Sequence, residues 1–190
     1  MKKYLIFLFV LLSLFSCKKD ERRTEAEKIV TEWIGKEIIF PLDYECNLMG
    51  KDTALCAGLL NADYKILLYV DSMGCTGCKL RMYEWKQLMQ EADSVFTKNK
   101  LSFLFFFHPK NKNKRRLLFL IKGDKFDYPI FIDNTNQINS LNDFPKEESY
   151  QCFLLDKINK VVSIGNPTLN PKIWELYKEQ ISEKPENEDG

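Results

Sequence analysis

Tyr64 to Trp85 reads YKILLYVDSMGCTGCKLRMYEW, and this stretch decides the fold. Ile66 to Val70 is an apolar run of strand length. A polar turn follows, then Cys75-Thr76-Gly77-Cys78, then a segment with helical periodicity. Strand, turn, dithiol and helix is an order with chemical meaning. Two cysteines three positions apart at a helix start can close a small disulfide, and the first sits where unpaired backbone N–H groups and the helix dipole favour an anion. A thiolate there attacks a disulfide, and a second thiol within reach resolves the mixed disulfide. On this reading Cys75 attacks and Cys78 resolves. Two other readings of a C-x-x-C stay open. A structural zinc site needs four ligands, but the other cysteine pair, Cys46 and Cys56, has the wrong spacing for a zinc knuckle and His108 is the single histidine, so no metal is assigned. An inert stapling disulfide looks the same in sequence.

Downstream, Met82, Trp85, Met89, Ala92 and Phe96 recur at helical spacing as a core stripe, with Lys86, Gln90 and Asp93 on other faces. Leu101 to Phe107, LSFLFFF, is too apolar for a one-sided strand and predicts a central strand covered on both faces. His108 follows at the carboxyl end of that strand, where open α/β sheets place their sites, although a structural or solvent-facing histidine is the ordinary reading. Lys110 to Lys122 predicts a helix, basic on one face, with Leu117, Leu118, Leu120 and Ile121 on the other and Gly123 as its stop. Tyr128 to Asp133 predicts a strand, and Ile138, Leu141 and Phe144 predict a short helix. Gln151 to Asp156 and Lys160 to Ile164 read as a hairpin closed by Lys157-Ile158-Asn159. A last helix, from about Pro171 to Ile181, carries Ile173, Trp174 and Tyr177.

Upstream, a helix from Thr24 carries Ile29, Val30, Trp33 and Ile34 on one side and stops at Gly35. Lys36 to Pro41, KEIIFP, reads as a short strand. From Asp43 to Leu60 the pattern is irregular and holds Cys46 and Cys56, which either staple this loop as a structural disulfide or leave one thiol free.

The amino terminus, MKKYLIFLFVLLSLFSC, has two lysines, an apolar core too short to span a bilayer comfortably, and Cys17 where that core stops. It reads as a secretory signal over residues 1–16. Its ending, Leu14-Phe15-Ser16-Cys17, resembles a bacterial lipobox, which implies a lipid on Cys17 and attachment to a membrane. An ordinary signal cleaved elsewhere is the alternative. Residues 17–35 then form anchor, tether and first helix, residues 36–181 the domain, and residues 182–190 a polar tail. The chain has 28 basic and 27 acidic side chains, and loss of residues 1–16 removes only Lys2 and Lys3. No basic patch interleaved with aromatics supports binding to nucleic acid. About 170 residues remain after cleavage, enough for one domain with a real core.

Strand, C-x-x-C helix, strand, helix, strand, hairpin and final helix is the order of the thioredoxin fold, and with the lipobox before it the chain resembles membrane-anchored thioredoxin-like proteins of the TlpA-like redoxin type. FLLDKINKVV, Phe153 to Val162, resembles the strand, acidic turn and strand of that family. The resemblance implies an α/β fold with a central mixed β-sheet flanked by helices. It also implies thiol-disulfide exchange with protein thiols or disulfides of the cell envelope, an unidentified electron donor or acceptor, and no nucleotide, flavin or other cofactor. Carried over by position, Cys75 is the nucleophile and Cys78 the resolving thiol. Gly74 stands where the family has tryptophan, Thr76-Gly77 where Gly-Pro is common, and Tyr150 where a cis-proline precedes the hairpin, the nearest proline being Pro145. Cys152, two positions beyond Tyr150, reads as a small buried hydrophobe or as a third, redox-sensitive thiol. The alternative to an enzyme is a non-catalytic envelope module with a stapling disulfide. Lys18 after the lipid cysteine resembles the sorting pattern of outer-membrane lipoproteins.

Overall fold

The computed structural model describes residues 24–71, 80–97, 99–109 and 113–183. Its centre is a parallel pair, β3 (Tyr64–Asp71) and β4 (Leu101–His108), in register from Tyr64 opposite Leu101 to Asp71 opposite His108. β5 (Ile130–Ile132) runs parallel beside β4, and β1 (Glu45–Leu48) lies antiparallel on β5 with β2 (Lys51–Asp52) outside it. Across β3, β6 (Cys152–Leu155) is antiparallel and leads by a tight turn into β7 (Val161–Ile164). The order is β2-β1-β5-β4-β3-β6-β7, a mixed sheet.

Strands covered on both faces need apolar residues at successive positions, and the period of two sorts them. Ile66, Leu68, Phe103, Phe105 and Phe107 enter one core. Leu67, Tyr69, Leu104 and Phe106 enter the other. The first core is closed by α3 (Met82–Val95), α4 (Lys114–Gly123) and α6 (Pro171–Ser182). The expected stripe Met82, Trp85, Met89 and Ala92 is buried, and Trp85 meets the rings of Phe103 and Phe105 edge-on at 6.3 and 5.2 Å. Trp33 from α1 (residues 24–33) and Ile138 from α5 (Gln137–Asn142) close the second core. Asn170 caps α6, its side chain accepting from Lys172 N, with Pro171 at the first position.

Several expectations are corrected. Residues 36–41 form no strand; they make one bridge, Glu37 to Lys160, and are otherwise held by the Asn142 side chain. The irregular stretch from Asp43 to Leu60 contains the β1–β2 hairpin and α2 (Cys56–Leu59). Its turn has positive φ at both Met49 (54°) and Gly50 (84°), as a tight two-residue hairpin requires, and methionine at the first of these hides it from sequence. On α1 only Trp33 is fully buried, while Val30, and Ile34 just past the helix end, are exposed. Leu141 is exposed as well.

Candidate redox site

The dithiol Cys75–Cys78 and the lipidation residue Cys17 lie outside the described residues. The frame around the dithiol is described. Asp71 ends β3 at the centre of the sheet, four positions before Cys75, and Leu80 resumes the chain two positions after Cys78. Leu80 and Met82 are both buried in the first core, which fixes the chain on either side of Arg81. Arg81 itself has φ 45° and ψ 42°, the left-handed region that a non-glycine residue enters at a cost. Its guanidinium pairs with Glu84 at 3.0 Å.

Tyr150 and Cys152 fall on opposite faces of the sheet. Tyr150 ends a single 3-10 turn, Glu148–Tyr150, and packs half-buried against the core that holds Trp33. Cys152 opposes Leu68 on β3 and is fully buried in the other core with Leu80, Met82 and Trp85. Burial pushes its thiol well above the usual range, and a hydrogen bond with the Tyr177 hydroxyl opposes this only in part. Since the thiolate is the reactive form, Cys152 matches the small buried hydrophobe.

His108 ends β4. Its Nδ1 lies 2.8 Å from the carbonyl of Asp133, and a carbonyl only accepts, so Nδ1 carries the proton and donates it there. Asp133, buried at 1% exposure, is a structural residue that the sequence reading took only as the end of a strand. Its carboxylate accepts from Ile138 N at 2.8 Å and Thr135 N at 3.2 Å, ordering the start of α5. The signal was there: aspartate two residues before threonine at a strand end is an Asx turn. Nearby, the Tyr69 hydroxyl donates to Asn136 Oδ1 at 2.7 Å, and burial pushes its pKa up.

Cys46 and Cys56 are joined in a disulfide with Cα atoms 5.7 Å apart, which decides for the staple between the two arrangements the sequence left open. The bridge ties β1 to α2, and Cys56 is fully buried with its sulfur 3.4 Å from the Ile130 carbonyl. Among the described residues no group of three histidine, cysteine or acidic side chains is arranged to hold a metal ion.

By sequence, neither a family model nor a curated protein matches the chain. By structure, similar chains are many. One is the thioredoxin domain of a thiol-disulfide oxidoreductase from Bacteroides vulgatus, 13% identical at a TM-score of 0.51, covering 76% of this chain and 97% of that one. A domain of a possible thiol-disulfide isomerase from Cytophaga hutchinsonii is 15% identical at 0.53, covering 77% and 93%. A thioredoxin-like protein from Porphyromonas gingivalis is 12% identical at 0.51, covering 77% and 94%. With a mixed sheet of the same kind, flanked by helices and entered at its centre by the strand that precedes C-x-x-C, this chain has the thioredoxin-like fold.

Proposed function

We propose that the protein is a thiol-disulfide oxidoreductase in which Cys75 attacks a protein disulfide as thiolate and Cys78 displaces the product, leaving Cys75–Cys78 oxidised and the substrate reduced. The reverse sequence makes it an oxidant. The observation that carries this reading is the place of C-T-G-C in the chain, four positions after Asp71 at the end of β3, a central parallel strand, and four positions before Met82 at the start of α3. Ligand and active sites of open α/β sheets lie at such carboxyl ends. The structural neighbours described as oxidoreductase and isomerase support it. On the same reading the lipid on Cys17 holds the domain on the extracytoplasmic side of a bacterial membrane, the outer membrane by preference. Its partners there are envelope protein thiols or disulfides and a separate electron donor or acceptor.

A second reading, a non-catalytic module whose dithiol is a staple, is favoured by Tyr150 in place of proline and by Gly74 in place of tryptophan. The reduction potential separates the two. The full chain in detergent is equilibrated in glutathione buffers and the Cys75–Cys78 peptide trapped for mass spectrometry. A potential between about −120 and −270 mV is expected of a working exchanger, and one well below about −300 mV marks a structural disulfide and overturns the proposal.

A further inference from the structure

Half of the exposed large hydrophobic side chains among the described residues sit on one short segment or on elements bonded to it. Val30, Ile34, Ile39 and Leu42 belong to residues 24–42, with Leu42 fully exposed. Leu141 is next to Asn142, whose side chain bonds both backbone groups of Ile39. Ile158, 61% exposed, is at the tip of the β6–β7 turn, where Ile38 N donates to the Asn159 carbonyl. Isolated exposed hydrophobes need no explanation, but a collection around one segment does.

This segment is the one nearest the candidate lipid. Cys17 precedes Thr24 by seven chain steps, a reach of at most about 25 Å. A domain of this size is about 40 Å across, so the tether keeps the side bearing residues 24–42 near the bilayer and cannot let the opposite side replace it. Charges around the collection are of both signs, Lys28, Lys36 and Lys157 beside Glu32, Glu37 and Asp43, so no anionic lipid is demanded.

We propose that Val30, Ile34, Ile39, Leu42, Leu141 and Ile158 form a docking surface for the lipid bilayer. This rests on the reading of Cys17 as lipidated. The lipid supplies the affinity and the apolar side chains supply the orientation. Ile158 is at the amino end of β3, where Lys65 opposes Leu155, and Asp71 is at the other end. Leu42 stands three residues before Glu45, which pairs with Ile132 at the carboxyl end of β5, so the collection runs along this side of the domain from one end of the sheet towards the other.

The test uses the full chain, produced in a host that lipidates, purified in detergent and reconstituted into phosphatidylcholine vesicles with plain or brominated acyl chains. Native Trp33, Trp85 and Trp174 are buried, so an added tryptophan reports its own surroundings. Ile158→Trp should lose severalfold more fluorescence to brominated lipid than Phe119→Trp, which lies on α4 across the sheet. Adding Leu42→Glu and Ile34→Glu, both at exposed sites, should abolish that difference without releasing the protein from vesicles. Equal quenching of the two tryptophans on floated, lipidated protein overturns the docking surface and leaves the anchor standing. Ile158→Trp shielded without bromine quenching, with cross-linking to a second copy, also overturns it, in favour of a self-interface. Cys17 without lipid by mass spectrometry, and no flotation, removes the anchor and the docking surface together.

Discussion

Asn142 holds both backbone polar groups of Ile39: its Oδ1 accepts from Ile39 N at 2.8 Å and its Nδ2 donates to Ile39 O at 2.8 Å. Nδ2 also donates to Ile138 O at 2.7 Å, and Lys36 Nζ reaches the Asn142 carbonyl at 3.1 Å. One buried amide thus replaces a strand partner for a segment that pairs with the sheet only through Glu37. Asn142→Ala should cost about 2 to 4 kcal/mol, because it leaves more than one backbone group without a partner. Asn142→Asp should be nearly as harmful, since a carboxylate keeps the acceptor and loses both donors. Urea midpoints of the three proteins check this; a loss for Asn142→Ala below about 0.5 kcal/mol would show that the clamp is not structural.

Lys65 is fully buried in β3, its Nζ donating to the carbonyls of Lys157 at 3.0 Å and Ala62 at 3.3 Å. Burial lowers its pKa below the ordinary lysine value of 10.5, with Asp156 and Asp63 opposing. With the folded pKa below the unfolded one, the unfolded chain binds more protons between the two. Stability from this group therefore rises with pH across the alkaline window below 10.5. Raised tyrosine pKa values, as at Tyr64 and Tyr128, act in the opposite direction once pH passes their unfolded value of 10.0. The quantity to measure is the stability of the parent minus that of Lys65→Met at each pH. It should rise as pH climbs towards 10.5. A flat difference would show that Lys65 keeps its ordinary pKa.

What was legible in the sequence was what repetition announces. LSFLFFF could only be a doubly covered strand, and the helical stripe from Met82 to Ala92 names the core face of α3. KEIIFP misled because alternation and β-propensity describe a chain that wants a strand partner, and here a side chain from a helix over a hundred positions away supplies the bonds. The β1–β2 hairpin was hidden for a local reason, a methionine at φ 54° where asparagine or glycine would have advertised the turn. Cys75 and Cys78 are read from spacing and placement, and both lie outside the described residues. Asp133 was legible as a turn residue, but its burial and its bonds to α5 depend on the distance closed by folding.

The disulfide Cys46–Cys56 closes a loop of sequence separation 10 and ties the short edge hairpin, paired to β5, to α2. Closing a loop of this length is worth about 2 to 3 kcal/mol through the unfolded chain. The double substitution Cys46→Ala, Cys56→Ala should lower the urea midpoint by that amount. The fully buried Cys56 position adds a smaller loss from the missing sulfur. Because the bridge lies beyond β5 and β4 from β3, the Cys75–Cys78 potential should not move. A change in that potential on removing Cys46–Cys56 would mean that the two disulfides exchange.

Cys152 decides whether the domain has a third working thiol. It is fully buried, its thiol is pushed up by that burial, and the Tyr177 hydroxyl beside it is committed to the Gly165 carbonyl at 2.8 Å. Burial outweighs the Tyr177 hydroxyl in that setting, so the native protein at pH 8 should take iodoacetamide at Cys152 only after denaturation. Cys152→Ala should cost about 1 to 2 kcal/mol for the cavity it leaves, and Cys152→Val should recover part of the loss. Neither should change the rate of disulfide exchange at Cys75 by more than about twofold, roughly the 0.4 kcal/mol that a remote core change transmits. Native labelling of Cys152, or a tenfold fall in exchange with stability preserved, would instead make it a resolving thiol that shares electrons with the dithiol.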